Sequence, residues 1–187
     1  MTHTLYPFSG GVPGYEKLLV YWIATTIYDL TVVFCDHYID KRSRTHDQMV
    51  QAARSGKQNI VEGNIGKSVD TNLKLTGVAR NSFSELLEDY KDYLRQRGLV
   101  LWSKDDPRVC EIRATKDLQD MTYRSYKTYM SYTNDPQSFC NLMVTLCSKE
   151  GYLLDRLLAA NEQKFIKEGG FKENLFRKRM EYRSRIR

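Results

Sequence analysis

From Gly14 to about Asp40, apolar side chains recur at Leu18, Trp22, Ile23, Ile27, Leu30, Phe34 and Tyr38. Steps of three and four put them on one face of an α-helix. The polar run Asp40-Lys41-Arg42-Ser43-Arg44 breaks the pattern. Thr45-His46-Asp47-Gln48 then reads as a capping box, Thr45 as the cap and Gln48 reaching back. A second helix is expected from there to about Glu62, followed by a turn made of Gly63, Gly66 and Ser68. A third begins at Ser68 or Asp70 and carries Leu73, Val78, Ala79, Phe83, Leu86, Leu87, Tyr90 and Leu94 along one stripe. Gly98 stands where a left-handed residue would end it. Asp135-Pro136 opens the last long helix, because proline suits a first turn that needs no N–H partner. Its stripe is Leu142, Met143, Leu146, Leu153, Leu154, Leu157, Leu158 and Phe165, and Gly169-Gly170 stops it.

Four long amphipathic helices with short links between the first three predict an all-α protein. The expected form is an up-down four-helix bundle, with an inserted helical segment between the third and fourth long helices and a C-terminal basic helix. Residues 1–13, with Pro7, Gly10, Gly11 and Pro13, read as an irregular arm. The bundle takes 14–168 with its insertion at 99–135, and 169–187 form a basic tail. The insertion holds Trp102, the turn Asp105-Asp106-Pro107, a short helical piece and the ladder Tyr123, Tyr126, Tyr129, Tyr132 with Arg124 and Lys127.

Composition agrees and adds a location. The 187 residues contain only four prolines and eleven glycines, and they suffice for one domain with a real core. No run approaches 18 consecutive apolar residues, and the first residues lack the pattern of a signal peptide, so a cytoplasmic protein with no membrane segment is expected. Cys35, Cys110, Cys140 and Cys147 have no Cys-x-x-Cys spacing and no nearby histidine, which points to structural thiols and no metal. The net charge of +6 is concentrated at one end. Lys172, Arg177, Lys178, Arg179, Arg183, Arg185 and Arg187 face only Glu173 and Glu181 in 169–187, leaving 22 of the 29 basic and 21 of the 23 acidic residues for everything before. A near-neutral body with a basic tail is a footprint of nucleic-acid or acidic-partner binding, or of a solvated end that aids solubility.

One polar set invites a chemical reading. Ser55, Asn59 and Glu62 are spaced by four and three and so share a helical face, while Ser82 and Glu85 lie three apart on the next helix. As a pair of carboxylates, Glu62 and Glu85 suggest acid–base work or metal ligation. A carboxylate-bridged di-metal bundle needs Glu-x-x-His on two helices, and no histidine here lies three after a glutamate. The set therefore reads as a buried hydrogen-bond network that fixes helix register, since an unpaired buried polar group costs about 1–3 kcal/mol.

The run Gln48–Gly63 also carries a resemblance. Gln48, Ala52, Ala53, Ser55 and Asn59-Ile60-Val61-Glu62-Gly63 resemble the signature helix of the bacterial four-helix-bundle family first recognised as 23S rRNA intervening-sequence proteins. That family includes the accessory variability determinant of diversity-generating retroelements. Ala79, Ser82, Glu85 and Leu86 match its third helix, and Trp22, Ile27-Tyr28 and Leu30-Thr31 resemble its first, covering about residues 15–95. The resemblance implies a non-enzymatic homo-oligomer, usually a pentamer, which in the retroelement branch engages nucleic acid and a reverse transcriptase through a basic surface. Val50 and Gln51 stand where the family commonly has a basic pair, and Lys57 where it often has proline. Arg54 and Lys57, three apart on one helix, supply positive charge nearby.

The remaining candidates concern binding. Arg42 and His46 come near an Arg-x(4–6)-His ribonuclease spacing but have only three residues between them, and no nucleophile–base pair or phosphate loop accompanies them. No catalytic residue, metal or cofactor is assigned. The tyrosine ladder suits base stacking or protein packing. The function expected is an oligomeric adaptor that binds RNA or DNA, a nucleic-acid enzyme such as a reverse transcriptase, or both. Its expected contacts are Arg177, Lys178, Arg179, Arg183 and Arg185, then Arg42, Arg44, Arg54 and Lys57. The alternatives are a protein–protein scaffold without nucleic-acid binding and a helical ribonuclease.

Overall fold

The computed structural model describes residues 13–66, 68–115 and 128–186. They are all-helical: α1 (Leu19–Tyr38), α2 (Arg44–Ile65), α3 (Val69–Gln96), α4 (Pro107–Ala114), α5 (Pro136–Glu168) and α6 (Phe171–Ile186), with a 3-10 turn at Gly14–Lys17. That turn is set off from α1 by Leu18, which is extended (φ −92°, ψ 128°). The Trp22 indole N–H donates to the Glu16 carbonyl at 2.8 Å and pins the turn to α1, so one expected helix is in fact two pieces.

Helix ends follow local chemistry. The α2 cap is Ser43, whose Oγ accepts from the Thr45 N–H at 3.2 Å, and not Thr45; the helix therefore starts two residues earlier than the capping-box reading places it. Gly63, expected in a turn, lies inside α2 and is buried; Gly66 is the cap. Gly98 has φ +65°, with its N–H bonded to the Arg95 carbonyl and the Leu99 N–H to the Leu94 carbonyl. This pair of bonds is a Schellman ending. Asp135 caps α5 by accepting from the Ser138 N–H at 2.9 Å, with Pro136 in the first turn.

Packing makes a ring. α3 lies against α2 on one side and α5 on the other, and α1 packs on both α2 and α5. The α2 seam is Met49, Ala53, Gly56, Ile60 and Gly63; the α3 seam includes Thr76, Ala79, Phe83, Leu86 and Tyr90. Both step by alternating threes and fours, the repeat that lets knobs of one helix enter holes of the other. A Cβ at Gly56 would lie 2.6 Å from the Phe83 ring, so a hydrogen there is what lets the ring seat on α2. At the other end of the core Phe34 meets Tyr38, Tyr90, Tyr93 and Phe139 at centroid distances of 5.0–5.3 Å. The fully buried Tyr90 hydroxyl donates to Thr31 Oγ1 at 3.0 Å, and Thr31 in turn donates to the Ile27 carbonyl at 2.7 Å.

By length and composition α1 is apolar enough to cross a membrane, with mean hydropathy 1.3 over its best window, although polar Thr25, Thr26 and Asp29 interrupt its apolar runs. Half of that window is buried inside the protein, where Ile23, Ile27, Leu30 and Phe34 fill the core. Packing on two neighbouring helices accounts for its composition.

The segment after α3 is tied down by side chains from the first turns of α5. Buried Asn141 accepts from the Trp102 N–H at 2.8 Å and donates to the carbonyls of Val100 at 2.8 Å and Gln137 at 2.9 Å. Gln137 accepts from the Val100 N–H at 2.9 Å. Together they satisfy backbone groups that a strand partner would otherwise pair.

Candidate nucleic-acid and partner interfaces

The structure divides the expected polar network. Ser82 Oγ donates to Ser55 Oγ at 3.2 Å, and the Asn59 amide donates to the Ser55 carbonyl at 2.8 Å and to Ser55 Oγ at 3.2 Å. Ser55, Asn59 and Ser82 are thus joined across α2 and α3. Glu62 and Glu85 are not: both are exposed, and no hydrogen bond links them to the three. The reason is a one-residue offset. The core seam of α2 runs through Gly56, Ile60 and Gly63, each one position beyond Ser55, Asn59 and Glu62. One residue is about 100° of rotation, which moves the polar line from the core to the flank of the interface.

Ser55 and Ser82 line one of two adjoining clefts, of about 380 and 430 Å³, that open between the end of α1, α2 and α3. Asp89 lines both; Glu85 lines one, Asp40 and Asp92 the other. Half-burial, then the neighbouring Asp92 and Glu85 charges, raise the Asp89 carboxyl above its ordinary range. The cations at the rim are already engaged. Arg95 pairs with Asp92 at 2.9 Å and the Arg97 guanidinium stacks 3.7 Å over the Tyr93 ring.

Of the basic candidates, Arg177, Lys178, Arg179, Arg183 and Arg185 all lie on α6 and are exposed. Arg177 hydrogen-bonds Asn174 at the start of that helix. Arg42, Arg44, Arg54 and Lys57 do not gather into one patch. Arg42 lies in the α1–α2 link and Arg44 at the first residue of α2, whereas Arg54 sits ten residues, about 15 Å, further along. Lys57 is half-buried with its ammonium 5.3 Å from the Tyr28 ring centre. Lys41 is paired with Asp36 at 3.1 Å.

Tyr129, Tyr132 and His46 take packing positions. Tyr129 is fully buried. Tyr132 stacks edge-on to Trp102 and donates to Glu111 at 2.8 Å; burial and that carboxylate push its hydroxyl to about 12. Tyr123 and Tyr126 lie outside the described residues. The largely enclosed His46 ring is held between Asp36 at 3.6 Å and Asp47 at 3.5 Å, and no hydrogen bond or ion pair joins it to Arg42. Among the described residues no group of three or more His, Cys, Asp or Glu is placed to hold a metal.

Three cysteines are core residues. Burial pushes the Cys35 and Cys140 thiols to about 12 and that of Cys147 higher still, whereas Cys110 is exposed. A buried thiol held protonated neither meets nor attacks an alkylating reagent. Brief iodoacetamide treatment of the native protein at pH 8 should modify Cys110 alone, and all four cysteines after denaturation, as read by intact mass.

The asparagines carry structure that the hydrophobic pattern does not show. Asn72 donates to the Gly63 carbonyl at 2.9 Å and accepts from Asn161 at 2.7 Å and Thr76 at 3.2 Å, tying α2, α3 and α5 at one end. The available signal was the presence of Asn inside helices, where it is otherwise a poor choice. Arg80 and Asp155 add a surface pair between α3 and α5, with N···O distances of 2.8 and 3.4 Å.

No protein-family profile, curated protein or solved structure matches the chain.

Proposed function

We propose that this protein is a non-enzymatic, cytoplasmic helical adaptor that self-associates and holds nucleic acid, or an enzyme acting on nucleic acid such as a reverse transcriptase, through basic segments. In this reading α1, α2, α3 and α5 form an up-down four-helix bundle of the kind the Gln48–Gly63 run resembles, with 99–135 as an insertion. The assembly number by that resemblance is five. The observation that carries the reading is α6: it is an exposed helix bearing six Lys/Arg against Glu173 and Glu181, while the body is close to neutral. Such a helix neutralises phosphates without reading bases, so its binding should be non-specific and salt-dependent. The exposed apolar side chains of α6, among them Phe176 and Met180, support the second reading, a protein scaffold without nucleic acid.

Filter binding of single-stranded RNA at 50 and 200 mM salt separates the two. If about four phosphates are neutralised, affinity should fall about 50-fold over that range. Absent or salt-insensitive binding would favour the scaffold.

A further inference from the structure

We infer that the acidic cleft between α2 and α3 is the docking site for α6 of a second copy of this chain. Glu85, Asp89 and Asp92, spaced by four and three, share one face of α3, and Asp40 faces them from the end of α1. Among the described residues Asp89 has no ion pair, and the nearby Arg95 and Arg97 are committed to Asp92 and Tyr93. The cleft is therefore a net negative groove in which Asp89 has no cation of its own, walled by Ile39, Ala52 and Tyr93.

α6 has the complementary pattern. At 100° per residue, Phe171, Leu175, Tyr182 and Ile186 fall within a 60° arc. Lys178 and Arg185 flank that arc on one side, Lys172, Arg179 and Arg183 on the other. All four apolar side chains are about half or more exposed, from 48% for Phe171 to 67% for Tyr182. Lengths agree too. Sixteen residues of α6 span about 24 Å, and the clefts follow α3 from Ser82 to Arg97, about 22 Å. Seated there, the apolar strip covers the walls while its basic flanks meet the carboxylates, a charge match that sets register and speeds encounter.

The geometry favours a second copy over the chain's own α6. Gly170, where α6 begins, lies beside Asp70 at the start of α3. A helix of sixteen residues turned back along α3 from that point reaches only to the level of residue 86. Its cations would then lie beside Lys74 and Arg80, short of Asp89, Asp92 and Asp40. Only an α6 arriving from another molecule aligns with the whole groove.

This inference rests on the self-association in that reading, and its test contains no nucleic acid, so its failure leaves the nucleic-acid reading of α6 standing. Sedimentation velocity of the nucleic-acid-free full chain at 50 mM salt should show association that weakens at 500 mM. Glu85→Lys with Asp92→Lys should weaken it at least about tenfold, and so should Lys178→Glu with Arg179→Glu and Arg183→Glu. All these positions are exposed, and unchanged helicity by circular dichroism confirms folding; Glu85→Gln with Asp92→Asn should give an intermediate effect. Mixed one to one, the two reversed proteins should associate again, since each then offers a helix that matches the other's groove. A wild type that stays monomeric at 50 mM salt, a reversed protein that associates like wild type, or a mixture that stays apart overturns the proposal.

Discussion

Phe34→Ala should destabilise the protein by about 3–5 kcal/mol, the largest effect expected of any single side-chain truncation here. Phe34 is completely buried and is the ring that Tyr38, Tyr90, Tyr93 and Phe139 all meet, three of them edge-on. Its removal loses the transfer energy of the ring, the edge-to-face terms and the contacts of four neighbours that cannot collapse together into the hole. These rings belong to α1, α3 and α5, so the loss is shared by all three. For a chain of this size that corresponds to a fall in Tm of about 10 °C. Phe34→Leu, which refills part of the volume, should recover more than half of it. Thermal melts followed by circular dichroism measure both.

Asn141→Leu should cost about 2–4 kcal/mol although it fills nearly the same space. The substitution leaves the Trp102 N–H and the Val100 carbonyl without the partners Asn141 supplies, one of them in a buried place. The damage should be local. Hydrogen exchange at Val100–Ser103 should accelerate well beyond exchange in the α2–α3 seam, because only the strap over α5 depends on that amide. Equal acceleration everywhere would mean that Asn141 supports the whole core and not the strap.

How far the fold is legible in the sequence depends on which signal is local. The Gly98 ending and the Asp135-Pro136 start rest on a few adjacent residues and stand as the sequence predicts, whereas the apolar stripes hold in part: Val78 on α3 is exposed, and beyond Leu154 the α5 stripe is only half-buried. The start of α2 is ambiguous in the sequence because Ser43 and Thr45 can each cap, and the choice depends on where the link from α1 turns. Glu62 and Glu85 fall outside the network that joins Ser55, Asn59 and Ser82, because a helical wheel gives angles but not which angle faces the neighbour. That choice is made by Gly56 and Phe83, whose close approach rotates Gly56, Ile60 and Gly63 inward and Glu62 outward. The asparagine ties and the α2–α3 cleft join different helices, so a window of the chain shows the asparagines but not what they hold together. The α6 cations, by contrast, were legible from composition, since an exposed helix needs nothing from the fold to present its charge. Arg42, Arg44, Arg54 and Lys57 looked like a cluster only until helical rise separated them by about 15 Å.

If α6 meets phosphates as proposed, the salt dependence of RNA binding by an α6 variant shows it most directly. Arg177→Glu with Arg179→Glu and Arg183→Glu removes half of the six α6 cations, so the slope of log K against log salt should shrink from about −2.8 to about −1.4. Affinity at 50 mM salt should fall with it, while helicity stays as in the wild type. RNA binding of unchanged strength and unchanged slope in that variant would contradict the account.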